Sequence, residues 1–433
     1  MAGLVSASQN PSTPSTGKDR NRHANRPRFR YHRSLRGLGV DARRFRRYEA
    51  PDTDAITRAA TMRTIVIGGG VMGGGAALAL ARRGVPVTLI DRFAIGHDQG
   101  SSHGYSRIIR FAYFEHPDYV RLVLDAGRLW RELEAQTGLP LMRTTGGLDI
   151  GPPDGVLVRG SRKSCAEHGL PHEYLSRSQL EGRYLQFRHV DDVAGVYQPD
   201  AGILAASRCV TAQVDAARRL GARIIENERV HQIELRRDLI VVHTPRARYE
   251  AERVMVVAGP WASALLAELA LPLTVIRKTV GYFAPLDPAS FALERFPIFI
   301  YQTPRGCFYG LGPFGLDSIK LAEHSGGDLV DPDRVDRNFT AADEAPLRWF
   351  LTEHLPAAAG ACLYHQVCLY TRTPDEDFII DLHPDDSRMA IAAGFSGHGF
   401  KFGPVVGEIL ADLVLTGRTD HPIGRFELSR FSR

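Results

Sequence analysis

The sequence has few cysteines and no long apolar run. Five of its 433 residues are cysteine, at positions 165, 209, 307, 362 and 368. An odd number at irregular spacing excludes a secreted disulfide framework and a paired CxxC zinc site. No segment approaches the roughly 18 consecutive apolar residues of a membrane-spanning helix, and the 16 histidines show no HExxH spacing. We therefore expect no membrane segment, no metal, and a reducing, cytoplasmic environment.

The remaining composition is that of an ordinary globular protein. Hydrophobic residues make up 44% of the chain and charged residues 24%. At roughly 100 to 200 residues per domain, this length predicts two or three folding units with ample core.

The net charge of +5 is unevenly distributed. Residues 1–61 hold 13 Lys and Arg against 5 Asp and Glu, a net charge of +8, which leaves −3 for residues 62–433. The basic segment is rich in Ser, Pro, Asn and Arg and lacks helical or strand periodicity, so we expect it to be disordered. The body of the protein is mildly acidic, which makes nucleic acid an unexpected partner.

Three interpretations of residues 1–61 remain open. Translation could start at Met62, directly before the first predicted strand, so that the segment is a solvated appendage or is not made at all. The segment could instead be a transit peptide, or an arm that binds nucleic acid. We favour the first interpretation because blocks of like charge are often only solvated tails.

A dinucleotide-binding pattern begins directly after this segment. The β-branched run Thr64 to Ile67 predicts a strand, and an Ala/Leu-rich stretch to Arg83 predicts the helix that follows. A second apolar run ends at Asp91, 23 residues beyond Gly68, where a Rossmann unit has its ribose-binding acid. The glycines allow a tight turn, close approach of a pyrophosphate, and packing of the helix on the strand. They are in GxGxxG spacing: Gly68, Gly70 and Gly73.

NAD and FAD both use this unit, and later parts of the chain favour FAD. The isoalloxazine ring of FAD must extend into a second domain, so glycine-rich elements should return to it. One follows the strand-like run 253–258. The other is GFSGHGFKFGP at 394–404, in which Gly397 and Gly399 indicate a close approach to the backbone.

The chain resembles the family of monomeric sarcosine oxidase, N-methyltryptophan oxidase and pipecolate oxidase. These are covalent-flavin amine oxidases within the D-amino-acid oxidase superfamily. The blocks keep the family's order from Met62 nearly to the C-terminus, and residues 1–61 have no counterpart in them. They are TIVIGGGVMGGG (64–75) with LID (89–91), GSSHGYSRIIRFAY (100–113), YGLGPFGLDSIKLAEH (309–324), CLYTRTPDEDFIIDLHP (368–384) and IAAGFSGHGFKF (391–402).

The resemblance implies roles for particular residues. It places His103, Arg107 and Arg110 at the flavin and the substrate, and we expect the two arginines, three residues apart, to share one face of a helical turn. Lys320 matches the lysine that activates oxygen, and Tyr309 and His324 match the substrate-pocket tyrosine and histidine.

The resemblance also implies a covalent cofactor and a carboxylate site. Cys368 matches the cysteine that is joined to the flavin 8α-methyl carbon, and Cys362 is the nearest alternative in the sequence. Lys401 matches the lysine that helps Arg110 to hold the substrate carboxylate.

We therefore expect a mixed α/β fold of two domains: a Rossmann-like FAD-binding domain and a mainly antiparallel-sheet substrate domain. The FAD domain comprises residues 62–145, 200–268 and 362–416, and the substrate domain 146–199 and 269–361. A C-terminal tail, 417–433, follows.

The predicted function is oxidation of an N-methyl or cyclic secondary-amine amino acid by FAD, with O₂ as acceptor and H₂O₂ as product, by a monomer. Two alternatives remain open. One is a flavin dehydrogenase that passes electrons to another acceptor. The other is a basic-tailed interaction protein in which the flavin fold is only a scaffold.

Overall fold

The computed structural model describes residues 62–431, so the prediction of disorder in residues 1–61 lies outside the described residues. None of the helices in this part of the chain is long and apolar enough to cross a membrane. The α-helices are α1 (Val71–Arg82), α2 (Asp118–Thr137), α3 (Val156–His168), α4 (Arg177–Arg183), α5 (Ala206–Arg219), α6 (Ala262–Leu265), α7 (Ala341–His354) and α8 (Gly403–Thr416).

The strands alternate with these helices in the first half of the chain and dominate the second half. They are β1 (Thr64–Ile67), β2 (Val87–Ile90), β3 (Arg107–Ile109), β4 (Met142–Thr144), β5 (Gly147–Gly151), β6 (Glu173–Leu175), β7 (Ala194–Gln198), β8 (Gly202–Leu204), β9 (Arg223–Ile225), β10 (Gln232–Leu235), β11 (Ile240–His243), β12 (Arg248–Ala251), β13 (Arg253–Val256), β14 (Thr274–Phe283), β15 (Ile298–Thr303), β16 (Gly306–Leu311), β17 (Ile319–Glu323), β18 (Asp328–Leu329), β19 (Cys362–Arg372), β20 (Ile379–His383) and β21 (Asp386–Ala393).

A six-stranded sheet has the order β20, β21, β13, β1, β2, β9. All its neighbouring strands are parallel except the pair of β20 and β21. Its central strand β1 is buried along its whole length, as its unbroken apolar sequence predicts. Parallel strands present their carboxyl ends at one edge, where α/β sheets bind ligands.

Helices α1 and α8 pack against each other beside this sheet through glycines. A Cβ atom on Gly75 would lie 2.3 Å from the Gly403 carbonyl oxygen, and one on Gly407 would lie 2.3 Å from the Gly75 carbonyl carbon. Larger residues would therefore push the two helices apart. The surrounding core includes Trp130 of α2, which is fully buried.

A second, mainly antiparallel sheet forms the other layer. Its order is β18, β14, β17, β16, β15, β5, β7, β6, and β19 pairs along almost the whole of β14. Only β5 and β15 pair in parallel. One face packs on α7 around a core of aromatic rings that includes Phe299, Phe308 and Phe350. The opposite face carries the residues of the site described next. Strands β10 to β12, and β3, β8 and β4, form two small antiparallel sheets.

Candidate active site

A cavity of about 570 Å³ extends from the carboxyl ends of β1, β2 and β13 to the open face of the antiparallel sheet. Of the fourteen residues singled out in the sequence, only Gly73 does not line it. The thirteen that do are Gly68, Gly70, Asp91, His103, Arg107, Arg110, Tyr309, Lys320, His324, Cys368, Gly397, Gly399 and Lys401.

At the β1 end, the chain turns sharply from strand to helix. Gly68 has a φ of +111°, and a Cβ on Gly73 would lie 1.7 Å from the Gly68 carbonyl oxygen. Gly73 is therefore required for packing, and the turn leaves the amino end of α1 facing the cavity. Asp91 accepts hydrogen bonds from the backbone N–H groups of Gly69 (2.5 Å) and Phe93 (2.7 Å). These bonds fix the carboxylate at the end of β2.

Strand register explains how distant residues meet on one face of the antiparallel sheet. Lys320 of β17 lies opposite Tyr282 of β14, and Cys368 of β19 lies opposite Lys278 of β14. Because side chains on a strand alternate between faces, Tyr282 and Lys278 point to the same side, and so do their partners. Tyr309 joins this face because it pairs with Ala322, two residues beyond Lys320.

Arg107, Lys320, Cys368 and Ser106 form the first of two polar groups in the cavity, here called the Arg107 cluster. A terminal nitrogen of Arg107 lies 3.8 Å from the Cys368 sulfur. The Lys320 amine donates hydrogen bonds to the Ser106 carbonyl oxygen (2.8 Å) and hydroxyl (3.2 Å). Within residues 62–431, no carboxylate lies within 4.0 Å of Lys320 or Arg107. Burial, and then Arg107, lower the pKa of Lys320 well below its usual value.

Arg110, Glu115, Lys401 and Tyr113 form the second group, the Arg110 cluster. Arg110 binds both carboxylate oxygens of Glu115, at 2.5 and 2.7 Å, and its guanidinium lies 4.2 Å from the centre of the Tyr113 ring. The Lys401 amine donates hydrogen bonds to the Tyr113 hydroxyl (3.1 Å) and the His398 carbonyl oxygen (2.7 Å). Burial, and then Arg110, lower the pKa of Lys401 to about 7.

The prediction that Arg107 and Arg110 share a helical turn is wrong. Arg107–Ile109 is strand β3, and Arg110 follows its end. The β-branched pair Ile108 and Ile109 favours a strand, and β3 pairs with β8. The two arginines consequently belong to different clusters, because a spacing of three places them on opposite faces of an extended chain.

Two histidines and two tyrosines lie beside these clusters. Neither ring nitrogen of His103 has a hydrogen-bond partner in the described part of the chain. Burial, and then Arg107, lower its pKa to about 3. His324 lies with its ring nitrogen 3.5 Å from the Tyr370 hydroxyl and its ring 6.4 Å from that of Tyr309.

The glycines of the 394–404 segment are explained by the protein's own side chains. A Cβ on Gly397, which has a φ of +85°, would lie 2.2 Å from the Tyr370 ring, and one on Gly399 would lie 2.4 Å from Phe395. The close approach that these glycines predict is therefore made by aromatic rings that line the cavity.

Sequence reasoning missed four residues of the site: Glu115, Lys278, Tyr370 and His398. Tyr370 and His398 lie within the sequence blocks that carry the resemblance, and Glu115 follows two residues after the block 100–113. No local signal marks Lys278, which is brought to the cavity by pairing with a strand 90 residues away.

The cavity has the features that FAD requires. A glycine turn and a helix amino end accept a pyrophosphate at one end. At the other end, the unpartnered ring nitrogens of His103 and the unpaired charge of Arg107 indicate that a polar group belongs there. Fold and site together define a dinucleotide-dependent oxidoreductase.

Comparison with known proteins gives the family. Residues 63–413 match the family described as FAD dependent oxidoreductase. The chain is 41% identical to monomeric sarcosine oxidase of Bacillus sp. (strain NS-129), over 84% of this chain and 96% of that protein. It is 36% identical to N-methyl-L-tryptophan oxidase of Salmonella arizonae, over 85% and 99%. The chain therefore belongs to the FAD-dependent oxidoreductase family.

Solved structures agree with this fold. The structure of NikD, an unusual amino acid oxidase essential for nikkomycin biosynthesis, has a TM-score of 0.75 at 25% identity, and the match covers 85% of this chain and 98% of that chain. L-Proline dehydrogenase from P. horikoshii has a TM-score of 0.75 at 24% identity, over 86% and 98%.

Proposed function

We propose that this protein is an FAD-dependent oxidase of amino acids with a secondary amine, such as sarcosine or another N-methyl amino acid. A hydride equivalent leaves a carbon bonded to the amine nitrogen and an imine forms, which water hydrolyses, while O₂ is reduced to H₂O₂. For an N-methyl amino acid the hydrolysed fragment is formaldehyde, and for a cyclic amine such as pipecolate the product is a cyclic imine. The observation that carries the proposal is the pair of clusters in one cavity: one holds cations without carboxylates, and the other is built around a carboxylate. The relatives named for N-methyl amino acids support it.

FAD would be held by the turn at Gly68 and Gly70, the amino end of α1, and Asp91, which can accept a ribose hydroxyl. When bound, FAD supplies the chemistry of accepting two electrons from the substrate and passing them to O₂. The residues of the chain orient the substrate and stabilise the negative charge that develops during the reaction.

Arg110 and Lys401 would bind the substrate carboxylate. One terminal nitrogen of the guanidinium already binds both oxygens of the Glu115 carboxylate, so Arg110 is oriented toward a carboxylate before substrate binds. Fixing the carboxylate orients the adjacent carbon and amine toward the Arg107 cluster, past Tyr309 and His324. Burial lowers the pKa of His324 to about 3, so its imidazole is neutral and can accept a hydrogen bond from the substrate amine.

Lys320 would favour the reaction with oxygen. Burial and Arg107 lower the pKa of Lys320, whereas negative charge that develops nearby favours its protonated form. A cation held there stabilises charge that develops on oxygen.

Cys368 would carry the covalent bond to the flavin 8α carbon. Its sulfur lines the cavity and lies 3.8 Å from a terminal nitrogen of Arg107. Cys362 lies outside the cavity and donates to the Tyr364 carbonyl oxygen, and burial raises its pKa.

The division into two domains is also proposed. Strands of the parallel sheet lie within 62–145, 200–268 and 362–416, which supports the FAD-binding assignment. Strand β19 hydrogen-bonds to the antiparallel sheet, so the third FAD segment is better begun after Arg372. A cytoplasmic monomer is consistent with the five free thiols and with the relatives named monomeric.

Peroxide release tests the proposal. The FAD-loaded enzyme is assayed with sarcosine, N-methyltryptophan, pipecolate and proline, and glycine serves as the primary-amine control. We expect peroxide from at least one secondary amine and much less from glycine. Flavin reduction by the substrate with no peroxide would instead support a dehydrogenase, and failure of every amine to reduce the flavin would overturn the proposal.

A further inference from the structure

A third cationic group of the cavity has no part in the proposed chemistry. Lys278 lies directly opposite Cys368 on the neighbouring strand β14 and on the same face of the sheet. The side chain is buried, with 6% of its surface exposed, and it lines the cavity. Its amine lies 5.8 Å from the centre of the Tyr370 ring.

The amine of Lys278 has no counter-charge in contact. It donates hydrogen bonds to two backbone carbonyl oxygens, of Ser325 (2.5 Å) and Gly326 (3.3 Å). Within residues 62–431, no carboxylate lies within 4.0 Å of it, although Glu323 and Asp328 are near enough to raise its pKa and Arg372 lowers it. Burial dominates and lowers the pKa to about 8, so the amine is mostly protonated at neutral pH. A buried cation without an anion is costly unless a ligand supplies one.

Lys278 lines the same cavity as His324, Arg110 and Lys401. The His324 imidazole is close enough to both Lys278 and Arg110 for each to lower its pKa. Arg110 contacts Tyr113 and Glu115, whereas Lys278 contacts Tyr370 and the 325–326 backbone. A ligand that is held by its carboxylate at Arg110 and Lys401 and extends past His324 toward Tyr370 would meet a second cation.

We propose that Lys278 selects substrates with a second carboxylate, on the side chain or on the nitrogen substituent, so that the preferred substrate is a dicarboxylic secondary-amine amino acid. This inference rests on the proposed function for its reaction and adds the class of substrate. A charge-assisted hydrogen bond to a second carboxylate would favour the diacid by about 10- to 100-fold over a neutral amide of the same shape.

The test compares substrates of nearly the same shape that differ in the charge of the side chain. The kcat/KM ratio for N-methyl-L-glutamate over N-methyl-L-glutamine, and for the shorter aspartate and asparagine pair, is measured for wild type, Lys278→Gln and Lys278→Arg. Gln keeps a donor for the backbone carbonyls but loses the charge, and Arg keeps the charge. We expect the preference to fall to near unity in Lys278→Gln and to be retained in Lys278→Arg. Lys163→Gln, an exposed lysine of α3, is the matched control and should keep it.

Binding without turnover separates the two proposals. Thiodiglycolate and (methylthio)acetate have sulfur in place of the amine and differ by one carboxylate, and each is titrated into the FAD-loaded enzyme by flavin absorbance. If thiodiglycolate binds more tightly than (methylthio)acetate, and this difference depends on the charge at position 278, the second carboxylate site is supported. This holds even if no amine is oxidised, a result that would overturn only the proposed function. Oxidation of N-methyl amino acids with no diacid preference in wild type, or a preference that survives in Lys278→Gln, overturns the inference: Lys278 then only anchors the 325–326 backbone.

Discussion

The Arg107 cluster and the Arg110 cluster lie in one cavity and each contains an arginine and a lysine, yet their charges are balanced differently. In the Arg110 cluster, the guanidinium is neutralised by Glu115, and this carboxylate keeps the pKa of Arg110 above its usual value despite burial. In the Arg107 cluster, no carboxylate of the described chain makes an ion pair, and the Lys320 amine faces a guanidinium with backbone oxygen as its partner.

The difference shows which ligand each cluster is suited to bind. A buried cation that has its own carboxylate can exchange that carboxylate for another of the same geometry at little electrostatic cost. Buried cations without one are stabilised when negative charge arrives, and electrons delivered to a neighbouring cofactor are such a charge. The first arrangement fits binding of a carboxylate, and the second fits redox chemistry.

The largest expected effect is the loss of covalent flavin attachment when Cys368 of the Arg107 cluster is replaced. Cys368→Ala should abolish covalent attachment of the flavin completely, because its sulfur is the proposed attachment point. Acid precipitation should leave a colourless pellet, and the intact mass should lack the flavin increment. Cys362→Ala is the control and should keep both. A yellow pellet from the Cys368 variant would show that another residue carries the bond.

Lys320→Met tests the second cation of the same cluster. Removal of one preorganised charge that stabilises a developing anion costs about 100-fold or more in rate. We expect reoxidation of the reduced enzyme by O₂ to slow by about 100-fold, with flavin reduction by substrate changed far less. Stopped-flow absorbance measures the two half-reactions separately. Equal slowing of both half-reactions would remove the argument for an oxidase. It would also remove the proposed difference in function between the two clusters.

The sequence predicted the parts of this site that depend on local chain geometry. Strand β1 has the predicted bounds because a short β-branched run ends at a glycine turn, and Asp91 follows β2 as expected. For Arg107 and Arg110, a spacing of three residues is compatible with a helical turn as well as with a strand. Only the pairing of β3 with β8 decides between them, and the local sequence does not show it. Lys278 could not be found because only its long-range register with Cys368 brings it to the cavity.

Glu115→Gln tests the balance of charge in the Arg110 cluster. The variant leaves a buried guanidinium without its counter-charge, which is costly in the empty protein. We expect a lower thermal midpoint without ligand, and (methylthio)acetate bound about tenfold more tightly because the competing carboxylate is gone. Flavin absorbance titration and thermal unfolding with and without ligand measure these effects. Unchanged affinity would show that a substrate carboxylate does not replace Glu115.

The smallest effect at neutral pH is a pH dependence from Lys401. Its amine is charged below its pKa of about 7 and neutral above it. A bound carboxylate favours the charged form, so binding takes up a proton above pH 7 and weakens as pH rises. The Kd of (methylthio)acetate, which has no amine to titrate, should be constant below about pH 6 and rise by up to about tenfold per pH unit above 7.

Two variants identify the group that titrates. Lys401→Met should bind the ligand more weakly and without this pH dependence, because the amine that takes up the proton is gone. Lys278→Met should retain the dependence, since (methylthio)acetate has no second carboxylate to reach Lys278. If the dependence is instead lost in Lys278→Met and kept in Lys401→Met, the carboxylate is held at the Lys278 side of the cavity. The orientation of the substrate between the two clusters would then be the reverse of the one argued from the ion pair of Arg110 and Glu115.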